Sequence, residues 1–227
     1  MRSHIHIPVW KKWASYFTEI VLEHTSSDYN EVLTVSLVKG RLQLSTEEAI
    51  YSYADKYDNF RVTFEKMILP EKAHVLLLGF GLGSIPFMLE KIFGKTYSYT
   101  GVEIDETVIH MASKYVLWDL KSDIELHQAD AIYFVAQDTN KYDLIAIDLF
   151  ISEKIPAVFE EVDFLESVNE NLTSNGVLLF NRLAKTEKEL TTTKRYYEEV
   201  FCKVFPSATY VEIQGNHVLV SDKKALK

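Results

Sequence analysis

Residues 74–84, HVLLLGFGLGS, set the tightest limit on what this chain can become. Four consecutive apolar residues suit a strand covered on both faces. Gly79, Gly81 and Gly83 then suit a sharp turn into a helix whose first amides point outward. Glycine serves there because the turn needs backbone angles that other residues resist, and because a Cβ would hold a ligand away from the backbone. The stretch predicts a nucleotide-type binding loop; a tight strand-to-helix turn without a ligand is the competing reading.

The rest of the chain alternates around this loop. Strands are predicted over 75–79, 97–103, 123–128, 143–148 and 176–181, followed by helices over 83–93, 105–117, 131–137, 157–171 and 186–203. Repeated β–α units call for a parallel sheet with helices on both faces. The end departs from the repeat: residues 208–213 and 217–220 flank Gln214-Gly215-Asn216, a hairpin signal. The expected fold is therefore α/β and Rossmann-like, a mostly parallel seven-stranded sheet closed by an antiparallel C-terminal hairpin. That arrangement resembles class I S-adenosylmethionine-dependent methyltransferases rather than nicotinamide dehydrogenases. Upstream, residues 17–45 read as a small antiparallel unit of three strands and residues 46–69 as a helix ended by Pro70. The predicted division is residues 1–60, the strand unit with the start of a linking helix, and residues 61–227, the Rossmann-like domain.

Charge and cysteine content narrow the function. Lys and Arg number 24 against 33 Asp and Glu, a net charge of −9, which argues against a generic nucleic-acid binder. A single cysteine, Cys202, fits a reducing compartment, and no Cys/His cluster has metal-ligand spacing. His4 and His6 alternate near the start and read as solvated. No apolar run approaches a membrane span. The expectation is a cytoplasmic protein acting on a small molecule, without metal, membrane or nucleic acid.

Three acids specify the ligand. Glu103 ends the second predicted strand of the alternating region, 22 residues beyond Gly81, the distance at which a strand-end carboxylate meets a ribose diol. Asp130 follows the third strand at the same sheet edge, where an adenine amino group needs an acceptor. Asp148 ends the fourth, beside the switch point where open α/β sheets place their chemistry.

The segments FTEIVLEHTSSDYNEVLTVSLVKGRLQLSTEEAIYSYADKY, VLLLGFGLGS, GVEIDETVIHMASKYV, ADAIYFV and YDLIAIDLF, across residues 17–182, are similar to the spermidine synthase family of aminopropyltransferases. The resemblance implies a methyltransferase-like Rossmann domain with a small N-terminal β unit, often assembled as a dimer or tetramer, so a homodimer is the expected partner. It assigns Glu103 to the nucleoside ribose, Asp130 and Ala131 to its adenine, and Gln43 to the nucleoside from the β unit. Tyr51 then lines the substrate end, and Asp148 stands as the catalytic acid.

Two positions depart from the family pattern. Leu82 occupies the place of the loop Asp that pairs with the aminopropyl arm of decarboxylated S-adenosylmethionine, and Ile151 replaces the second Asp of the active-site motif. A dicationic diamine in a partly desolvated pocket needs a carboxylate near each amine. The sequence therefore favours S-adenosylmethionine and methyl transfer to a small molecule. Aminopropyl transfer stays open if Glu153, Glu160 or Glu161 replaces the missing acid, as does a non-catalytic nucleoside-binding protein.

Overall fold

In the computed structural model, which describes residues 5, 7–47, 49–150 and 154–227, the chain builds two sheets. His4, His6, Ile151 and Glu153 lie outside the described residues. The first sheet is antiparallel, with β1 (Ile20–Thr25), β2 (Leu33–Val38), β3 (Arg41–Ser45) and β4 (Ile50–Ser52) in sequential order. The second comprises β5 (His74–Leu78), β6 (Ser98–Glu103), β7 (Asp123–Gln128), β8 (Tyr142–Ile147), β9 (Leu172–Leu183), β10 (Thr209–Ile213) and β11 (Asn216–Val220). Its order is β10-β11-β9-β8-β5-β6-β7, parallel from β9 to β7, with β11 antiparallel to both β9 and β10. This is the expected class I methyltransferase-like Rossmann fold with its closing hairpin, carrying a separate antiparallel sheet.

The apolar run of β5 explains the layering. Val75 and Leu77 belong to the core on one face of the sheet, and Leu76 and Leu78 to the core on the other. A strand whose alternate residues both enter cores must be covered twice, which forces helices onto both sides. Six helices follow the β–α alternation or lead into it: α2 (Asp58–Lys66), α3 (Ser84–Lys91), α4 (Glu106–Tyr115), α5 (Ala131–Gln137), α6 (Val162–Glu170) and α7 (Glu187–Tyr196). A short α1 (Val9–Ala14) precedes β1. No helix among the described residues is long and apolar enough to cross a membrane.

The structure corrects the segment before β5. The expected helix over 46–69 is a turn closed by Thr46 N donating to Ala49 O at 2.8 Å, then β4, a 3-10 turn at Ala54–Lys56, and only then α2. Ile50 and Tyr51 are good strand formers, and the free edge of β3 offers partners: Ser45 faces Ile50 and Leu44 faces Ser52. Edge pairing outweighs the helical propensity of the surrounding residues. The N-terminal unit thus has four strands rather than three.

Candidate functional site

The glycine loop is positioned by two close approaches. Gly79 has φ +86°, and a Cβ there would sit 2.3 Å from the carbonyl oxygen of Asp148, since β5 and β8 are neighbours that end together. Gly81, at φ +55°, faces β4, where its Cβ would lie 3.4 Å from Tyr51 O. The first sheet is stitched to the loop at the same point. Ser84, the first residue of α3, shares a 2.6 Å hydrogen bond with Ser52, and its oxygen accepts from Tyr53 N at 3.1 Å. Gly83, left-handed at φ +78°, is the N-cap residue directly before α3 and does not line the cleft.

Above the carboxyl ends of the parallel strands opens a cleft of about 840 Å³. Gly79, Gly81, Tyr51, Glu103, Asp130, Ala131 and Asp148 all line it. Glu103 reaches back over the loop, one oxygen accepting from Phe80 N (3.2 Å) and Gly81 N (3.1 Å), the other from Asp105 N (3.2 Å). Burial raises its pKa against the opposing pull of these amides. Asp130 caps α5 by accepting from Ile132 N at 2.9 Å, and Ala131, the first residue of α5, is buried. Gln43 is buried in β3 opposite Ser36 and does not line the cleft.

Asp148 lies at the centre of a polar cluster. Asn181 donates to it at 2.9 Å and itself accepts from Asn216 at 3.0 Å, so the amide chain begins on the closing hairpin. The Tyr57 hydroxyl supplies a further bond. Burial pushes the Asp148 pKa up to about 6, above its ordinary 3.8, and the Asn181 and Tyr57 donors only partly offset it. Removing the hydroxyl in Tyr57→Phe is expected to raise that pKa further. The acidic limb of a pH–rate profile should then move to higher pH, and an unchanged limb would show that Tyr57 does not act on Asp148.

Other residues of the site carried no role in the sequence reading. Asp105 is buried; one oxygen caps α4 through Thr107 N at 3.0 Å, the other accepts from Ser27 (2.5 Å) and Asn30 (3.1 Å) in the β1–β2 loop. Asn30 in turn accepts from the Tyr51 hydroxyl at 2.9 Å. One carboxylate therefore pins the first sheet to the Rossmann domain and fixes Tyr51 at the cleft wall. Its local signal was legible, an Asp directly before ETVI as a helix N-cap, but its long-range partners were not. Asp105→Ala leaves buried donors unpaired and is expected to cost about 2–4 kcal/mol in urea unfolding.

The model of the spermine/spermidine synthase domain family matches residues 55–225, three-quarters of the chain. The chain belongs to this family. A polyamine aminopropyltransferase of Vibrio vulnificus is 29% identical over 155 residues, covering 67% of this chain and 51% of that protein. The eEF1A lysine and N-terminal methyltransferase of Xenopus laevis is 27% identical over 165 residues, 67% of this chain and 23% of that one. The chain thus spans about half the length of the first relative and less of the second. Among solved structures, a probable spermidine synthase from Corynebacterium glutamicum superposes with a TM-score of 0.67 at 16% identity, covering 88% of this chain and 78% of that one.

Within this family framework the departure at Leu82 acquires geometry, as do two of the acids that could replace the missing one. Leu82 is buried in the core and does not line the cleft. Glu160 is engaged by Arg182, whose guanidinium also lies over the Tyr196 ring at 3.8 Å, and neither Glu160 nor Glu161 lines the cleft. The acids among the described lining residues are Glu103, Asp105, Asp130 and Asp148.

Proposed function

We propose that the chain is an S-adenosylmethionine-dependent transferase that moves a methyl group onto a small molecule. The observation that carries this reading is the sequence of strand ends: Glu103 on β6 and Asp130 after β7 lie to one side of the glycine loop that follows β5, and Asp148 lies one strand to the other side of it. Glu103 and Asp130 suit a ribose diol and an adenine amino group, and a phosphorylated ribose would be repelled there. The two relatives, an aminopropyltransferase and a methyltransferase, support adenosyl-sulfonium chemistry in general.

The sulfonium supplies an already activated carbon, so the chain has to place a nucleophile in line and take its proton. Asp148 is suited to that task. It is desolvated, held by Asn181 and Tyr57, and has a pKa near 6, so it is ionised at neutral pH yet basic enough to accept a proton. The acceptor's lone pair forms the new bond to carbon, the carbon–sulfur pair returns to sulfur as a thioether, and the acceptor's proton passes to Asp148. Methyl transfer is favoured over aminopropyl transfer because Leu82 is buried and aliphatic where the family's arm-binding acid would stand. Isothermal calorimetry tests the reading. S-adenosylmethionine should bind more tightly than its decarboxylated form, with methylthioadenosine also bound; no heat from any of the three would refute it. Tighter binding of the decarboxylated form, with spermidine produced from putrescine, would establish aminopropyl transfer instead.

A further inference from the structure

The two ends of the cleft differ in charge. Glu103, Asp105 and Asp130 gather on the β6–β7 side, whereas past β8 the described lining residues offer one acid, Asp148, and one cation, Lys185. Asn181, Asn216 and Gln214, which line the cleft with them, are neutral. Neither charge is matched by the protein: among the described residues no cation pairs with Asp148 and no carboxylate with Lys185 Nζ. The cation of β9 itself, Arg182, is committed to Glu160 and Tyr196.

Strand alternation aims Lys185 at the same space. Asn181, Leu183 and Lys185 are two residues apart and all line the cleft, the last just beyond the end of β9. Lys185 is exposed, its stem lying against the turn of the closing hairpin, where a Cβ on Gly215 would be 3.8 Å from Lys185 Cβ. The amides at the start of α7 are not the available anion site, because Glu189 already accepts from Lys185 N and Thr186 N in a capping box. The ammonium group is left to a ligand.

Building on the transferase reading above, we propose that the acceptor is an amine bearing an anionic group at its far end, with the amine at Asp148 and the anion at Lys185. Four residues separate Lys185 from Asn181, the neighbour of Asp148, so the backbone positions of Asn181 and Lys185 are no more than about 13 Å apart, a span on the scale of a short chain. A diamine reaching the same end would set its second ammonium against Lys185, where no described residue past β8 other than Asp148 offers a carboxylate. The anion is assigned to the acceptor rather than to the cofactor's amino-acid end because of distance. Lys185 follows β9, three strand spacings from Glu103 on β6, roughly 14 Å across the sheet.

The test uses the intact protein saturated with S-adenosylhomocysteine, which has no group to transfer, titrated with chain-matched pairs from 4-aminobutanoate and 1,4-diaminobutane to 6-aminohexanoate and 1,6-diaminohexane. At least one aminocarboxylate should bind about tenfold or more tightly than its diamine, and Lys185→Glu should reverse that order while leaving S-adenosylhomocysteine affinity unchanged. Failure of every aminocarboxylate to bind, a preference for the diamine, or an order unaffected by Lys185→Glu would overturn the inference while leaving the transferase reading intact. A loss of S-adenosylhomocysteine affinity in Lys185→Glu would assign the lysine to the cofactor and overturn it too. If S-adenosylhomocysteine does not bind the wild-type protein, the transferase reading fails and this inference falls with it.

Discussion

Asp148→Asn is expected to lower turnover by about 10²- to 10⁴-fold while making the protein more stable above pH 6. The two effects share one cause. The folded protein holds the Asp148 carboxyl at a pKa of about 6 against an ordinary 3.8, so the folded state binds this proton more tightly than the unfolded chain does. Stability from this group is fully present below about pH 4 and is lost as pH rises through 6. Above that, ionised Asp148 carries a cost of up to about 3 kcal/mol, at about 1.4 kcal/mol per pH unit. Asparagine keeps an acceptor for Asn181 and carries no charge, so urea unfolding at pH 8 should show a gain of about 1–3 kcal/mol that vanishes at pH 4. The wild-type rate should fall about tenfold per pH unit below pH 6 if Asp148 is the base. Full activity in Asp148→Asn would remove it from the chemistry. Equal stability of the two proteins at pH 8 would show that its burial costs nothing.

Gly79→Ala is expected to be the most damaging single methyl in the molecule. Its Cβ would meet Asp148 O at 2.3 Å, a backbone atom that cannot move without shifting β8, and the residue would also be forced to keep φ +86°. A loss of about 3–5 kcal/mol in urea unfolding is expected, together with loss of nucleoside binding by any protein that still folds. Gly94→Ala is the control. It has φ +66° and open space around the added methyl, so it bears only the conformational cost, about 1 kcal/mol. Equal losses at the two sites would mean that the contact with Asp148 is not what requires glycine at 79.

The comparison of these glycines shows where sequence reading reaches its limit. The run GFGLGS announces a loop in which glycines are needed, because their φ preference is a local property. It does not say that Gly79 is needed twice over, since the second reason is an atom on β8, nearly 70 residues away in the chain. The same division holds along the chain. The buried runs of β5 and β8 and the closing hairpin at Gly215 were legible because apolar periodicity and turn chemistry are short-range signals. The segment 46–69 was misread because its weak helical propensity competes with a pairing edge on β3 that exists only once the first sheet has formed.

The candidate site divides in the same way. Glu103, Asp130 and Asp148 stood out because each follows a recognisable strand, and an α/β sheet delivers successive strand ends to one edge. Gln43 and Gly83, named with them, lie elsewhere, one in the body of β3 and the other behind the loop at the start of α3. Tyr57, Asn181 and Asn216 come from three separate elements and meet only around Asp148, and Asp105 joins Ser27 and Asn30 across 75 or more residues. The sequence by itself determined the sheet, the glycine turn and the acids at the strand ends, all consequences of local periodicity. Only the tertiary structure decided which neutral donors surround Asp148, that Leu82 turns into the core, and that Lys185 lines the far end of the cleft with no carboxylate partner among the described residues. Those outcomes depend on what desolvates each group and which partners reach it, quantities that no stretch of chain contains alone.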